Sequence, residues 1–465
     1  MTFLKSLKIG TALAALMVAG MSVPASAETL QEAMSQAYTS NPDLRAQRAA
    51  LRAVDERVAA ANLASLPSLT GNVAYDRSNR NVIDADPEFN PTKIFNRALQ
   101  MRIDQPLFQG FQRINNRKEA KAIVKAGRAQ LLQIEQNVLL NAVTSYMDVI
   151  RGEAIYGLTE NNIQVLTRQK EAADARFQVG EITRTDVAQS EARLAGAVSE
   201  RIAAQANLAV SRAIYRQVIG SFPGSLEPAP DLPPLPADLE AAWAIATEQN
   251  PLIRIAMYNE EAAGHAVNSS KGVLLPRADG FLTATRFHGS QTLGGFESVP
   301  FSSETKTAGV QITIPFFQGG GEYSDVRRDK QLRSQRRLET LSASLAVRAS
   351  TETSWQQYHA AVSSIVSNQA EVDANAIALE GVRQEETVGQ RTVLEVLNAE
   401  QELLVARVGL VTATRNEYVA GFTLLSSLGQ LNAAALDLPV ELYDPEENYK
   451  NVRYKFYGWG IKDYN

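Results

Sequence analysis

The chain has 465 residues, 45% hydrophobic and 21% charged, with a formal net charge of −5 at pH 7 and no cysteine. That mild acidity excludes the basic stripe a nucleic-acid surface needs, and the missing thiols exclude disulfides, thiolate metal sites and a lipoprotein anchor. His265, His288 and His359 stand far apart, and Gly294-Gly295 and Gly319-Gly320-Gly321 lack a phosphate-loop lysine, so no metal, cofactor or catalytic constellation is expected.

Residues 1–27 place Lys5 and Lys8 before an apolar run from Ile9 to Val18 and end in Ala25-Ser26-Ala27. This is the pattern of a secretory signal peptide, which puts the start of the mature chain at Glu28. Nothing beyond it approaches the run of about 20 apolar residues that a spanning helix requires. Entry into a membrane therefore has to use strands.

From Glu28 to about Ser65, Leu30, Ala33, Met34, Ala37, Tyr38, Leu44, Leu51, Val54 and Val58 recur at helical spacing, with a break at Asn41-Pro42. Leu66-Pro67 ends the helix and the period changes to two. Strands are expected from Leu69 to Asn79 and from Phe95 to Phe108, with Leu99, Met101 and Ile103 alternating against Gln100, Arg102 and Asp104 and a polar loop at 80–93. After Pro106-x-Phe108-Gln109-Gly110 a helical pattern runs to Gln178, or ~100 Å. At Val179-Gly180 a glycine suited to the left-handed conformation precedes Thr183 and Asp186, a capping box that starts a helix of about 55 Å from Thr183 to Ile219.

Six prolines between Phe222 and Pro236 form a semi-rigid connector, and the text then starts again. Asn250-Pro251, Leu275-Pro276, Pro315-x-Phe317-Gln318-Gly319 and Val388-Gly389 each repeat a first-copy feature at one offset: Gly180 and Gly389 stand 209 residues apart (389 − 180). The expected division is residues 28–220, a linker at 221–236, a second copy at 237–429 and a tail at 430–465 that packs around the helices or is partly disordered. In the second copy helix is expected from Ala237 to Lys271, strand from Ala278 to His288 and from Thr305 to Phe317, with a polar loop at 289–304. Helix follows from Gly320 to Glu386 and from Thr392 to Leu428. The fold class is mainly α with a small β part.

A soluble sheet packed on helices alternates in the same way, so periodicity alone leaves that reading open. The count is more restrictive. Four strands cannot close a barrel, whose lower limit is about eight, and lipid does not tolerate an open edge. Membrane strands would therefore demand several chains. A periplasmic coiled-coil adaptor or scaffold remains the rival reading.

The order of signal, helix, Leu-Pro, strand pair, Pro-x-Phe-Gln-Gly, long helix and Val-Gly tip, twice over, resembles the TolC family of outer-membrane efflux proteins. Its most specific stretch is Val388-Gly389-Gln390-Arg391-Thr392-Val393-Leu394-Glu395-Val396-Leu397-Asn398. The resemblance implies a homotrimer with one twelve-stranded barrel in outer-membrane lipid and a helical tunnel in the periplasm. It also implies an adaptor (membrane fusion) protein at the hairpin tips Val179, Gly180, Val388 and Gly389, and an inner-membrane transporter of the RND or ABC type. In the periplasmic gate it implies a latch from Arg391 to the pair Thr185-Asp186, with Glu386 where the family has a second latching tyrosine. Glu395 would line the entrance as an acidic ring, while Asn398 replaces the second ring. Glu395 and Asp186 also sit where a capping box wants an acid, a role compatible with the gate.

Overall fold

The computed structural model describes residues 27–79, 94–293 and 297–461. The leader (1–26) and the expected loop at 80–93 lie outside them. In chain order the elements are α1 (Leu30–Ser40), α2 (Pro42–Leu63), β1 (Ser68–Ser78), β2 (Ile94–Gln109), α3 (Gln112–Gln178) and α4 (Arg184–Ile219). The second copy repeats them as α5 (Leu239–Gln249), α6 (Pro251–Gly272), β3 (Arg277–Leu293), β4 (Glu297–Thr313), α7 (Gly321–Thr387) and α8 (Val393–Leu428), before α9 (Glu447–Val452) in the tail.

The break at each Asn-Pro is a joint. Asn41 leaves helical geometry, accepts from the Asp43 amide and lets Pro42 begin α2 without a missing donor. Its amide nitrogen donates to the Val218 carbonyl at the end of α4, as Asn250 does to Ser427 at the end of α8. In each copy the helix that begins at the joint thus sits over the end of that copy's last helix, and their 22 and 36 residues together span most of the length of the 67-residue α3 or α7. The second joint is tight: at Gly429, φ +86°, a Cβ would lie 2.6 Å from the Gln249 carbonyl oxygen.

The largest core surrounds the middle of α3, where α1, the ends of α4 and α8, the linker and the tail converge on Leu139, Val143 and Tyr146. Tyr146 is fully buried, with its hydroxyl 2.9 Å from the Glu28 carbonyl and 2.8 Å from that of Glu227; burial pushes its pKa up to about 12. The proline-rich segment is therefore a strap as well as a connector, with Leu226, Leu232 and Leu235 packed on this core. The tail packs too. Leu431, Ala433 and Leu438 are buried, Asn448 bonds Asp55 of α2 and Glu446 pairs with Arg128 of α3.

The strands form one antiparallel sheet in the order β1-β2-β3-β4. Its register aligns Leu69 with Ile103, Val73 with Leu99, Ile103 with Leu282 and Gly280 with Val310. One face therefore carries Leu69, Val73, Leu99, Met101, Ile103, Leu282, Val310 and Ile312, all exposed in the single chain, and the other carries Thr70, Gln100, Arg102, Asp104, Thr283 and Gln311. β1 and β4 are the outer strands, so each leaves one edge unpaired.

Three strand boundaries differ from expectation. Most of the segment 289–304, where the sequence predicts a loop, is strand, with β3 running to Leu293 and β4 starting at Glu297. There Ser298, Pro300, Ser302 and Glu304 occupy the positions of the apolar face, while Val299 and Phe301 fall on the other face, where the Phe301 ring packs against Phe287. β4 also stops at Thr313 and not at Phe317, since Pro315 has no amide to offer a partner strand.

Candidate functional site

The two hairpin tips are built alike. Gly180 (φ +80°) and Gly389 (φ +77°) end α3 and α7 in the left-handed conformation that residues with a Cβ avoid, and a reciprocal capping box restarts each chain. In the first tip the Thr183 amide and hydroxyl donate to Asp186 at 2.8 and 2.7 Å, and this holds the carboxyl below its ordinary pKa. In the second, the Thr392 amide and hydroxyl donate to Glu395 at 2.8 and 3.0 Å. Glu395 also accepts from Arg391 at 2.7 Å, and the Thr392 amide, with Arg391 next, brings its pKa down to about 2.

Within the protomer, Arg391 is bonded to its own hairpin. Its Nε donates to Glu385 and its Nη1 to Glu395, both at 2.7 Å. Asp186 is engaged by Thr183, and Thr185 beside it is exposed. The described residues of one chain therefore do not join Arg391 to Thr185-Asp186. Glu386 and Asn398 instead link the two hairpins. Arg176 in the last turn of α3 pairs with Glu386 in the last turn of α7, and Arg193 of α4 donates to Asn398 of α8 at 2.6 Å. Val179 and Val388 are about 70% exposed, leaving two apolar side chains at the outer end of the tips.

Beneath these polar links, Leu166 of α3, Ala197 of α4 and Val393 and Leu397 of α8 form a buried cluster. Fully burying one leucine contributes about 1.5–3 kcal/mol, whereas a partly exposed pair such as Arg176–Glu386 contributes about 0–1 kcal/mol. The apolar cluster holds the hairpins together and the ion pairs set their alignment. Arg176 and Arg193 were not among the expected site residues. A signal for Arg176 existed: at the repeat offset it matches Glu385, a charge reversal between copies next to Glu386.

Among the described residues no cluster of His, Asp and Glu could hold a metal, and no helix is long and apolar enough to cross a membrane. An apolar-faced sheet at one end of helical hairpins ~100 Å long, with paired glycine tips at the other, defines the channel-tunnel class of outer-membrane protein. The outer membrane efflux protein family model matches residues 33–221 and 244–430, and the chain belongs to that family. It is 36% identical to outer membrane efflux protein BepC of Brucella suis biovar 1 (strain 1330), over 94% of this chain and 93% of that one. It is 26% identical to outer membrane protein TolC of Escherichia coli (strain K12), over 90% and 85%. The fold is similar to that of the CusC crystal structures, with a TM-score of 0.73 at 17% identity over 86% of this chain and 92% of that one. The protein is thus an outer-membrane channel with a large periplasmic helical part, and the family offers no support for the adaptor reading.

Proposed function

We propose that three copies close a single twelve-stranded barrel and tunnel that serves as the passive outer-membrane exit of an efflux or type I secretion system. The observation that carries this is the four-stranded sheet with an exposed apolar face and two unpaired edges, which lipid does not tolerate. In this reading Arg391 has a second partner, the Thr185-Asp186 pair of the adjacent protomer, and three Glu395 carboxylates face one another at the entrance. Adaptor contact falls on Val179, Gly180, Val388 and Gly389, and an inner-membrane transporter of the RND or ABC type supplies energy and cargo.

Conductance in planar bilayers tests the gate. Arg391→Ser is expected to raise single-channel conductance of the purified protein, because it removes the bonds to Glu385 and Glu395 together with any latch to the neighbour. Unchanged conductance would take Arg391 out of the gate.

A further inference from the structure

Where the helices meet the barrel, Arg113, Arg117, Lys118 and Lys121 line a groove with Ala61, Asn62, Ser65 and Ile114. The four cations fall within the first ten residues of α3, so at 1.5 Å per residue they occupy roughly the first 15 Å of that helix below the sheet. Among the described residues no carboxylate pairs with Arg117, Lys118 or Lys121, in a chain whose overall charge is −5. Glu119, between them in sequence, is half-buried and interacts with Arg57 and Asp329 of neighbouring helices.

A second feature converges on the same level. Asn62 of the groove donates to the Arg453 carbonyl, and from there the tail leaves the protein with Tyr454, Phe456, Tyr457, Trp459 and Ile461 at 63–99% exposure. Lys455 bonds back to the Gly460 carbonyl, and Gly458 (φ +94°) turns the segment into a hook. The groove opens on this side, because Arg128, seven residues beyond Lys121 on α3, carries Glu446 and Tyr449 of the same tail.

We propose that groove and hook form an interfacial collar that binds anionic phospholipid of the periplasmic leaflet, the cations on its phosphates and the aromatic rings among its headgroups. Charge complementarity and depth identify the occupant. Basic side chains bind anionic headgroups, tryptophan and tyrosine concentrate at the membrane–water boundary, and the sheet's apolar face ends directly above. With no cysteine to acylate, the collar sets the depth at which the barrel sits.

The test uses the full-length protein reconstituted in phosphatidylethanolamine vesicles with and without phosphatidylglycerol. Phospholipids brominated near the top of the acyl chain should quench wild-type tryptophan emission more than that of Trp459→Phe, which retains Trp243 and Trp355. Equal quenching would place the hook in water and overturn the proposal. Native mass spectrometry should find phosphatidylglycerol retained on wild type and reduced roughly fivefold or more in Arg117→Gln/Lys118→Gln/Lys121→Gln, the effect expected for charges at an anionic surface. Equal retention by that variant, or displacement of the lipid by millimolar inorganic phosphate, would reduce the groove to a nonspecific anion site and contradict the assignment.

Discussion

The two hairpin tips share a backbone and differ in what surrounds it. Each has a valine, a left-handed glycine and a Thr-x-x-acid box, yet α8 buries Val393, Val396, Leu397, Glu400, Leu403, Leu404 and Ala406 near its start, while the same part of α4 buries only Ser190 and Ala197. The first tip has Ile182 where the second has Arg391, and Arg176 where the second has Glu385. Duplication supplied one turn twice. Divergence then placed the second short helix against both long helices, α3 and α7, and gave its tip the charged network.

The strongest way to break this comparison is to remove the apolar contact. Leu397→Ala, at a position 1% exposed, should cost about 2–5 kcal/mol at the tip. Hydrogen exchange should show faster exchange in α8 around the substitution, whereas the matching first-copy change, Ala188→Gly, should have a much smaller effect. Equal responses would remove the asymmetry.

Glu395→Ala comes next. It deletes the acid of the second capping box and, in the proposed trimer, the carboxylate of the entrance ring, so trivalent cations are expected to block the wild-type pore and not the variant. Block that survives would put the ring elsewhere. Arg391→Ser acts in the opposite direction, since it leaves Glu395 without its 2.7 Å cation and should tighten the block.

The pH dependence follows from the depressed Glu395 pKa. Its stabilising effect is fully present above the ordinary value of 4.5 and is lost as pH falls towards about 2. Exchange protection at the second tip should therefore be constant from pH 7 to 5 once corrected for intrinsic rates, and should decline below that. A decline centred near pH 6 would contradict the assignment.

The smallest effect is expected at the link between hairpins. Arg176→Ala should change tip stability by about 0–1 kcal/mol and lose that effect at high salt. The exchange Arg176→Glu/Glu386→Arg should restore most of it. A failure to restore would mean that Arg176 acts by packing.

The long elements were legible because caps and breakers are local. The Asn-Pro joints, the Leu-Pro stops and the Thr-x-x-acid boxes lie within a few residues of the boundaries they set, and the 209-residue offset checked one copy against the other. The outer ends of β3 and β4 were not legible, since Ser298, Pro300, Ser302 and Glu304 put no apolar side chain on the face that carries Val310 and Ile312, and the Val299–Phe301 pair alternates on the opposite face. At the tips, Asp186 and Glu395 could be read as capping acids from spacing. The Arg176–Glu386 and Arg193–Asn398 links depend on α3 meeting α7 and α4 meeting α8, which no spacing along the chain encodes.

The central claim is that β1 of one chain completes the sheet edge left open by β4 of another. Because the protein lacks cysteine, Asn72→Cys on β1 and Gln311→Cys on β4, both on the polar face, can be joined by a short bifunctional maleimide in isolated outer membranes. The account predicts covalent dimers and trimers on a denaturing gel from the double variant and no trimers from either single one. Monomers alone, from material whose mass in detergent is that of one chain, would contradict it.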